Sequence, residues 1–397
     1  MHNETIININ GDAASKRSWG QMSEYVTYRE LKDFAEKVGL DIVRVTSAEP
    51  FSEAAEHIKQ QIRRGFRPKW KIDEIDEFCN PKSLLPDAKS VVIAAECYLT
   101  SEPTDLSKPD EPHGKIARYT WRNYYYDVKM KLKMVANFLK NKVGSGFRFR
   151  CYSNGPLAEK PMAQRAGIGW YGKHGIIVTK QYGSWVVLGE LICNIKLEEH
   201  EPINESCGSC QACIKACPTG AIVEPYILDM PRCLQYITHH QMVMPTHIRE
   251  LWGNRLYGCM ACQEVCPINR KVKPKDRKPD YGYVGPSLPL ISILQMNEKE
   301  YRRRFSKNQI GEPWVSFGAI QRNAAVALGN IGDPVAVSVL AQKLNSSRSK
   351  IVKMHAAWAL GKIGEEDAKR ALKQALKGDQ NPEVRKEIES ALKQIGT

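Results

Sequence analysis

The sequence predicts three kinds of structure in series: an α/β (α+β) domain, a cysteine-rich module and an all-α repeat region. Strand-like and helix-like segments alternate up to about residue 200, which is typical of an α/β or α+β domain. Eight of the twelve cysteines lie between residues 207 and 266. A helical segment that closes with Ile-Gly ends at Gly332, Gly364 and Gly396, a 32-residue period that indicates stacked helical repeats.

The N-terminal part divides into an extension and a domain. Residues 1–21 are polar and show no periodicity, so we expect a disordered extension, followed by the first domain at 22–200. Thr27 is a predicted N-cap, because Glu30 follows three residues later and apolar residues then recur at helical spacing. Residues 41–46 alternate as a strand does. Residues 91–95 are continuously apolar, as expected of a buried strand.

Two further stretches of this domain indicate a ligand site. Residues 117–126 contain four tyrosines and a tryptophan, which either pack as a lid or core edge or form an aromatic wall beside a large planar ligand. Four glycines between residues 166 and 175 let the backbone approach a ligand closely. These glycines do not match the dinucleotide-binding pattern, and no acidic residue follows at the required distance. A phosphate-binding P-loop is also absent from the sequence.

The cysteine-rich module spans residues 201–270. Its first four cysteines have the spacing C-x2-C-x2-C-x3-C-P, in which the fourth cysteine ligates the other of two iron–sulfur clusters. We assign cluster one to Cys207, Cys210, Cys213 and Cys266. We assign cluster two to Cys217, Cys233, Cys259 and Cys262. Zinc would favour two cysteine pairs rather than two triads each closed by Cys-Pro, and disulfides suit secreted mini-domains. The module therefore predicts two [4Fe-4S] clusters, a path for single electrons.

The composition and net charge of the chain limit the kinds of partner that it is expected to bind. The chain has 397 residues and a net charge of +14, from 58 basic and 44 acidic residues, which favours a polyanionic partner but also serves solubility. Residues 271–312 are strongly basic and are predicted to be a solvated linker, or alternatively a strip that contacts phosphates. Residues 313–397 are predicted to form HEAT-like repeats, which usually serve recognition. No apolar run is long enough to span a bilayer, and the cysteine usage suggests a reducing cytoplasm.

Taken together, these motifs resemble the epoxyqueuosine reductases, cobalamin-dependent iron–sulfur enzymes that complete the queuosine modification of tRNA. The resemblance covers nearly the whole chain after Met22 and suggests a divergent member or a paralogue. The segments that carry it are 118–121, 155–156, 166–173, the eight-cysteine run, 257–259 and 322–330. It implies a nitroreductase-like corrinoid-binding domain, a ferredoxin-like double-cluster module and HEAT repeats.

The resemblance also implies a mechanism and partners. Electrons would enter at cluster one, pass to cluster two and reduce cobalamin, which then opens the epoxide in a net two-electron deoxygenation. The cobalamin is expected base-off, since the chain lacks the Asp-x-His-x-x-Gly segment that supplies a lower histidine ligand elsewhere. The implied partners are the tRNA anticodon stem-loop and an external electron donor such as flavodoxin or ferredoxin. A monomer is expected.

Several residues depart from the family pattern. Ser153 stands where the family has the aspartate expected to be the general acid, and a serine could only position a water. The family's Trp-Gly-x-Asp-Tyr-His and Gly-Lys-Asn are also changed, at residues 121–126 and 172–174. Dehalogenase-like chemistry uses a tyrosine as the acid, so Tyr124 or Tyr126 is a candidate proton donor. Its pKa would be lowered by Lys173, His174 or Arg122. The alternative is that these tyrosines only pack. The predicted catalytic residues are Ser153, Tyr124, Tyr126, His174 and Lys173.

The resemblance also suggests which residues contact the corrinoid. Two lie on strands after the glycine-rich stretch and two flank ligands of cluster two. The residues concerned are Ser153, Gly155, Ile177, Leu188, Leu234 and Gly258. Because the pocket is altered, two alternatives stay open. One is a related corrinoid reductase with another modified nucleoside, an organohalide or a small metabolite as substrate. The other is a non-catalytic partner that donates electrons or reactivates a corrinoid.

Overall fold

The computed structural model of the chain describes residues 26–276 and 281–396. The predicted extension at 1–21 lies outside these residues. Thr27 caps the first helix in a capping box with Glu30, as the sequence predicted. The N-terminal domain contains α1 (Tyr28–Lys37), β1 (Ile42–Ser47), α2 (Ser52–Arg63), α3 (Ile75–Phe78), β2 (Ser90–Cys97), β3 (His113–Ile116), α4 (Tyr124–Val143), β4 (Phe149–Tyr152), α5 (Glu159–Arg165), β5 (Trp170–Tyr171), β6 (Ile177–Val178) and β7 (Val186–Cys193).

The main sheet of this domain has the strand order β1-β2-β7-β4, with every neighbouring pair antiparallel. The two central strands are buried along their whole length. A Cβ on Gly189 of β7 would stand 2.6 Å from Val128 of α4, so a glycine is needed where this helix crosses the strand. Successive strand residues point to opposite faces, so the neighbouring Glu190 faces away from α4, toward α5. The mixed α/β content that the sequence predicted is confirmed.

The cysteine-rich module is built from short elements. They are α6 (Ala212–Ala216), β8 (Ile222–Glu224), β9 (Ile227–Leu228), α7 (Leu234–His239), α8 (Thr246–Trp252), β10 (Arg255–Tyr257) and α9 (Ala261–Glu264). Helix α6 follows the pair Cys207/Cys210, helix α9 contains Cys262 of the pair Cys259/Cys262, and the two helices pack against each other. This packing brings the two cysteine-containing loops close together.

The segment predicted as a basic linker, 271–312, is partly regular structure. Within it lie β11 (Ser287–Pro289), α10 (Leu290–Gln295) and α11 (Glu298–Arg304). Strand β11 pairs with β3, which also pairs with β10, so one small sheet joins the first domain, the module and this segment. The linker interpretation is corrected here, because Leu290, Ile293 and Leu294 are fully buried between the basic stretches. Arg277 and Lys278 of the basic run lie outside the described residues.

The C-terminal repeats are confirmed. They consist of α12 (Phe317–Ile331), α13 (Val337–Ser346), α14 (Lys350–Ile363), α15 (Glu366–Gly378) and α16 (Pro382–Gly396). A Cβ on Gly329 or Gly361 would come within 2.8 Å of Ala359 or Ala391 on the next repeat. The repeated Ala-Leu-Gly thus lets equivalent helices touch backbone to backbone. Within the described ranges, no helix is long and apolar enough to cross a membrane.

The repeats share one hydrophobic core with the cysteine-rich module. Helix α12 joins the two through buried polar side chains. The amide of Asn323 donates to the carbonyls of Thr238 and Leu256, at 2.8 and 3.0 Å. The buried guanidinium of Arg322 donates to three carbonyls of α7 and the residues after it. The helical repeats therefore hold in place the segment that follows the cluster ligand Cys233.

Candidate active site

Seven of the eight predicted cluster cysteines are close enough to act on one another's pKa, and Cys213 of the first predicted set also acts on Cys262 of the second. Burial raises the pKa of Cys262, and the neighbouring Cys259, Cys233, Cys213 and Cys217 raise it further by their charges. Burial raises the pKa of Cys213 as well, with Cys207 and Cys210 adding to the effect. Among the described residues, no group of three or more His, Cys, Asp or Glu side chains is placed to hold a single metal ion.

Hydrogen-bonding groups surround Cys217, which the sequence predicts to be a ligand of cluster two. The amide of Ala221 donates to Cys217 Sγ at 3.2 Å. The hydroxyl of Thr219 lies near the same sulfur and donates to the Arg232 carbonyl at 2.7 Å. Hydrogen bonds of this kind orient metal ligands and tune the cluster that they hold.

Lys173, a predicted catalytic residue, contacts the cluster-one loop. Its side chain is nearly buried, and Nζ donates to the carbonyls of Gly208 and Cys210, at 2.6 and 2.8 Å. The backbone carbonyl of Lys173 accepts from the Tyr226 amide at 3.0 Å. The ammonium group is thus occupied by backbone acceptors of the module, so the expectation that it acts on a tyrosine is corrected.

His174 is buried beside the glycine-rich backbone. Its Nδ1 accepts from the Ile176 amide at 3.2 Å, and a Cβ on Gly172 would lie 2.5 Å from its ring. Burial lowers the pKa of His174 to about 4, with the charge of Lys160 adding to the effect. The imidazole is therefore neutral at physiological pH and is a poor proton donor there.

The two candidate tyrosines lie in different environments. Tyr124 is 1% exposed, and its hydroxyl donates to the Tyr98 carbonyl at 3.4 Å. Burial raises the pKa of Tyr124 to about 12 and outweighs the opposing effect of Arg122, so the expected lowering of this pKa is wrong. Tyr126 is 41% exposed, and its ring stacks on Tyr281 at 4.0 Å. Trp121 is fully buried, so core packing accounts for most of this aromatic segment.

Ser153 begins a tight turn at the end of β4. Its hydroxyl donates to the Leu188 carbonyl at 2.5 Å. Asn154 has a φ of +54°, and its amide donates to the carboxylate of Glu159. A Cβ on Gly155 would stand 2.6 Å from Tyr152 Cβ, so this position requires glycine. The turn is held in place from both sides, by a strand carbonyl and by a carboxylate.

Two carboxyl groups meet beneath this turn, and the sequence analysis missed both. Glu190 is fully buried on β7, and neither of its carboxylate oxygens has a hydrogen-bond donor among the described residues. Burial raises the pKa of Glu190 well above its ordinary value, and the charge of Glu159 raises it further. Burial also raises the pKa of Glu159 to about 7. These raised pKa values favour one proton held between the two carboxyl groups near neutral pH. A glutamate inside the apolar run of β7 was the signal that could have revealed them.

The predicted corrinoid contacts fall into two groups. Ile177 on β6 and Leu188 on β7 are buried in the core of the first domain. Leu234 opens α7 directly after Cys233, and Gly258 precedes Cys259. Gly258 has a φ of +85°, and a Cβ there would lie 2.4 Å from Ala117, so the chain passes close to the first domain beside two ligands of cluster two.

A cavity of about 710 Å³ opens between the first domain and α7. It joins Pro156, at the end of the serine turn, to the cluster ligand Cys233. Its remaining lining carries basic and acidic side chains, with aromatic, polar and apolar side chains between them. Those residues are Lys69, Trp70, Lys71, Glu74, Ile75, Glu77, Phe78, Ser83, Leu84, Leu228, Met230, Gln235, Tyr236, His239 and His240. Sequence reasoning missed the tyrosine and the histidine pair, although they follow Cys233 within seven residues.

The histidine side of the cavity continues onto an exposed aromatic surface. The ring of His240 stacks on Tyr236 at 3.9 Å, and Trp314 packs edge-on against His239 at 5.4 Å. Trp314 is 50% exposed. The buried Nδ1 of His239 has no hydrogen-bond partner among the described residues, so it is available to a polar group in the cavity.

Comparisons with known proteins agree with this geometry. Three family models match the chain: "Epoxyqueuosine reductase QueG, DUF1730" at residues 79–154, "4Fe-4S double cluster binding domain" at 206–269 and "HEAT repeats" at 316–393. The epoxyqueuosine reductase of Bacillus subtilis (strain 168) is 34% identical over 341 residues, which are 84% of this chain and 86% of the relative. That of Lactococcus garvieae (strain Lg2) is 32% identical, over 79% of this chain and 90% of the relative.

Comparison with solved structures points to the same family and covers more of the chain. A crystal structure of epoxyqueuosine reductase with a tRNA-Tyr epoxyqueuosine-modified stem loop has a TM-score of 0.85 at 33% identity. That likeness covers 93% of this chain and 98% of the solved one. The first residues of the serine turn, Ser153 and Asn154, and most of the double-cluster module and of the repeats lie within segments that the three family models match. By sequence and by structure, the chain belongs to the epoxyqueuosine reductase family.

Proposed function

We propose that this chain reduces epoxyqueuosine in a tRNA anticodon stem-loop to queuosine, with two [4Fe-4S] clusters and base-off cobalamin as cofactors. The reaction takes up two electrons and two protons and releases the epoxide oxygen as water. The observation that carries the proposal is the cavity that joins Cys233 to the serine turn at Pro156 in a member of this family. Electron delivery and substrate would meet there.

The path of the electrons follows from the assignment of the cysteines to two adjacent clusters. Cys207, Cys210, Cys213 and Cys266 would hold cluster one, and Cys217, Cys233, Cys259 and Cys262 would hold cluster two. Helices α6 and α9 pack together, which supports two adjacent clusters of the ferredoxin-like kind. An external one-electron donor such as flavodoxin or ferredoxin, acting on a monomer, completes this part of the proposal.

Cobalamin would occupy the space between a nitroreductase-like first domain, about residues 22–200, and cluster two. The unpartnered Nδ1 of His239, which lines the cavity, fits a large ligand that brings its own polar groups. Leu234 and Gly258 lie beside ligands of cluster two, while Ser153 and Gly155 form the turn on the other side. Bound there, cobalamin supplies a strongly reducing metal nucleophile.

The protons that this reduction consumes must come from a different group than in relatives that carry an aspartate at the turn. Ser153 can orient a water but cannot act as an acid near neutrality. The proton shared by Glu159 and Glu190 lies directly beneath the turn, since Glu159 binds the amide of Asn154. We infer that this pair resupplies a water held by Ser153. Tyr124, Tyr126 and His174 remain candidate proton donors. Replacing either tyrosine by phenylalanine, or the histidine by asparagine, would test each of them.

The cavity rim suits an RNA loop. Lys69 offers positive charge to phosphates, whereas Lys71 is paired with Glu74 at 2.8 Å. Trp70 and Tyr236 offer faces on which bases stack. Trp314, which lies just before helix α12, packs against His239 and extends this aromatic surface toward the repeats. A small free substrate would have no use for this extended surface, which favours the tRNA assignment.

The deciding experiment is an anaerobic single-turnover reaction. The protein, reconstituted with iron, sulfide and cobalamin and reduced chemically, is mixed with an epoxyqueuosine-containing stem-loop, and the nucleosides are analysed by mass spectrometry. Queuosine should form with the wild type and not with Cys217→Ser, the control that lacks a ligand of cluster two. No product from protein with both clusters and reduced cobalt verified by spectroscopy would refute the proposal.

One observation favours a second candidate. Ser153 replaces the family aspartate, and His174 and residues 122–126 are changed with it. Such a pocket suits a corrinoid reductase acting on another modified nucleoside in RNA. The same reaction with total tRNA as substrate would reveal this activity as a nucleoside that loses one oxygen while epoxyqueuosine persists.

A further inference from the structure

Lys173 reaches from the first domain into the loop that carries the first cluster ligands. Its Nζ donates to the carbonyls of Gly208 and Cys210, at 2.6 and 2.8 Å, within the turn that links Cys207 to Cys210. A third hydrogen bond, from the Tyr226 amide to the Lys173 carbonyl, ties the same residue to the β8–β9 hairpin. The contact is therefore part of the packing between the domain and the module.

The charge of this lysine has no carboxylate to balance it. Lys173 is 9% exposed, and no Asp or Glu lies within ion-pair distance of Nζ in the part of the chain that the structure describes. A buried, unpaired ammonium is costly unless an opposite charge lies near. A [4Fe-4S] cluster with four thiolate ligands is anionic, and it gains one further negative charge on reduction. Such a cluster in the Cys207–Cys210 loop would balance the lysine.

We propose that Lys173 is a positioning residue that raises the reduction potential of cluster one. A fixed positive charge stabilises the reduced cluster more than the oxidised one, because the reduced cluster carries more negative charge. The two carbonyl contacts hold this charge at a constant place in the loop. The inference rests on the cluster assignment in the proposed function, and it concerns electron entry rather than the substrate.

The test is a redox titration of each cluster, followed by EPR spectroscopy on the full reconstituted chain. Lys173→Met removes the charge and the donors, and Lys173→Gln keeps an amide donor without the charge. Both should make cluster one at least tenfold harder to reduce, which is a potential lower by about 59 mV for one electron. Lys173→Arg should restore the potential. Lys180→Met, which removes an exposed lysine paired with Glu205, is the matched control and should change nothing.

Each outcome decides the question. A potential within tenfold of wild type in Lys173→Gln, at full iron content, would overturn the proposal. Loss of cluster one from both neutral variants, with retention in Lys173→Arg, would assign the lysine a purely structural role and also overturn it. Cluster two should keep its potential throughout. Because these titrations need no epoxyqueuosine, they stand even if the proposed substrate is wrong.

Discussion

Arg322 offers a direct test of how the repeats position the active site. Its guanidinium is fully buried at the start of the repeats. It donates to the carbonyls of His240 and Met242 at 2.8 and 3.0 Å, and to that of Ile237 at 2.7 Å. These carbonyls belong to the segment that carries the histidines of the cavity. We therefore expect Arg322→Met to loosen the cavity wall.

The magnitude follows from the groups left behind. Methionine fills much of the same volume but donates no hydrogen bond, so three carbonyls lose their donor. A buried polar group left without its partner costs about 1–3 kcal/mol. Relief of the buried charge offsets part of this, since burial disfavours the charged guanidinium and lowers the pKa of Arg322. We expect a net loss of about 2–4 kcal/mol in local stability.

Hydrogen exchange measured by mass spectrometry is the suitable assay, because a chain with several domains does not unfold in two states. Peptides that cover residues 234–244 should lose protection in Arg322→Met, and affinity for the stem-loop should fall in parallel. The control is Arg348→Met, at an exposed position on the repeats, which should change stability by less than about 0.5 kcal/mol. Protection in residues 234–244 equal to wild type would refute the anchoring role of Arg322.

Three further predictions concern the clusters, the RNA surface and the acid pair. Cys217→Ser should halve iron and sulfide while cluster one persists, and an unchanged iron content would contradict the ligand pairing. Trp314→Ala should weaken stem-loop binding by about 5- to 150-fold, the equivalent of about 1–3 kcal/mol for a stacked base. The control Val335→Ala should leave binding unchanged. A dissociation constant for Trp314→Ala equal to that of the wild type would exclude stacking. Burial raises the pKa of Glu159 to about 7, so its stabilising contribution is complete below its ordinary pKa and is lost as pH rises through neutrality. Thermal stability should fall between about pH 5 and 8 in the wild type and less in Glu190→Gln; parallel pH profiles would argue against a shared proton.

Local patterns account for the elements that were predicted correctly. The capping box at Thr27 acts over three residues, and the close helix contacts at Gly329 and Gly361 repeat with the sequence period. The cysteine spacing is likewise local, since a short loop delivers three ligands of one cluster. Such features depend on neighbours along the chain, so they can be predicted without a structure.

The linker was misjudged for a related reason. Residues 271–312 carry many basic side chains, and charge usually marks solvated chain. The apolar residues around Leu290 are few, but they enter a core made mostly by distant segments. Burial of a short apolar cluster depends on what lies against it, which composition does not reveal.

The sequence by itself determined the double-cluster module, the helical repeats and the family, because each depends on spacing along the chain. Only the tertiary structure decided the roles of individual polar groups. Lys173 reaches residues 35 and 37 positions away, and Glu190 of strand β7 meets Glu159 of helix α5. The environment of Tyr124 raises its pKa where the sequence suggested the reverse. Desolvation and hydrogen bonding set these properties, and both are fixed by contacts between segments far apart in the chain.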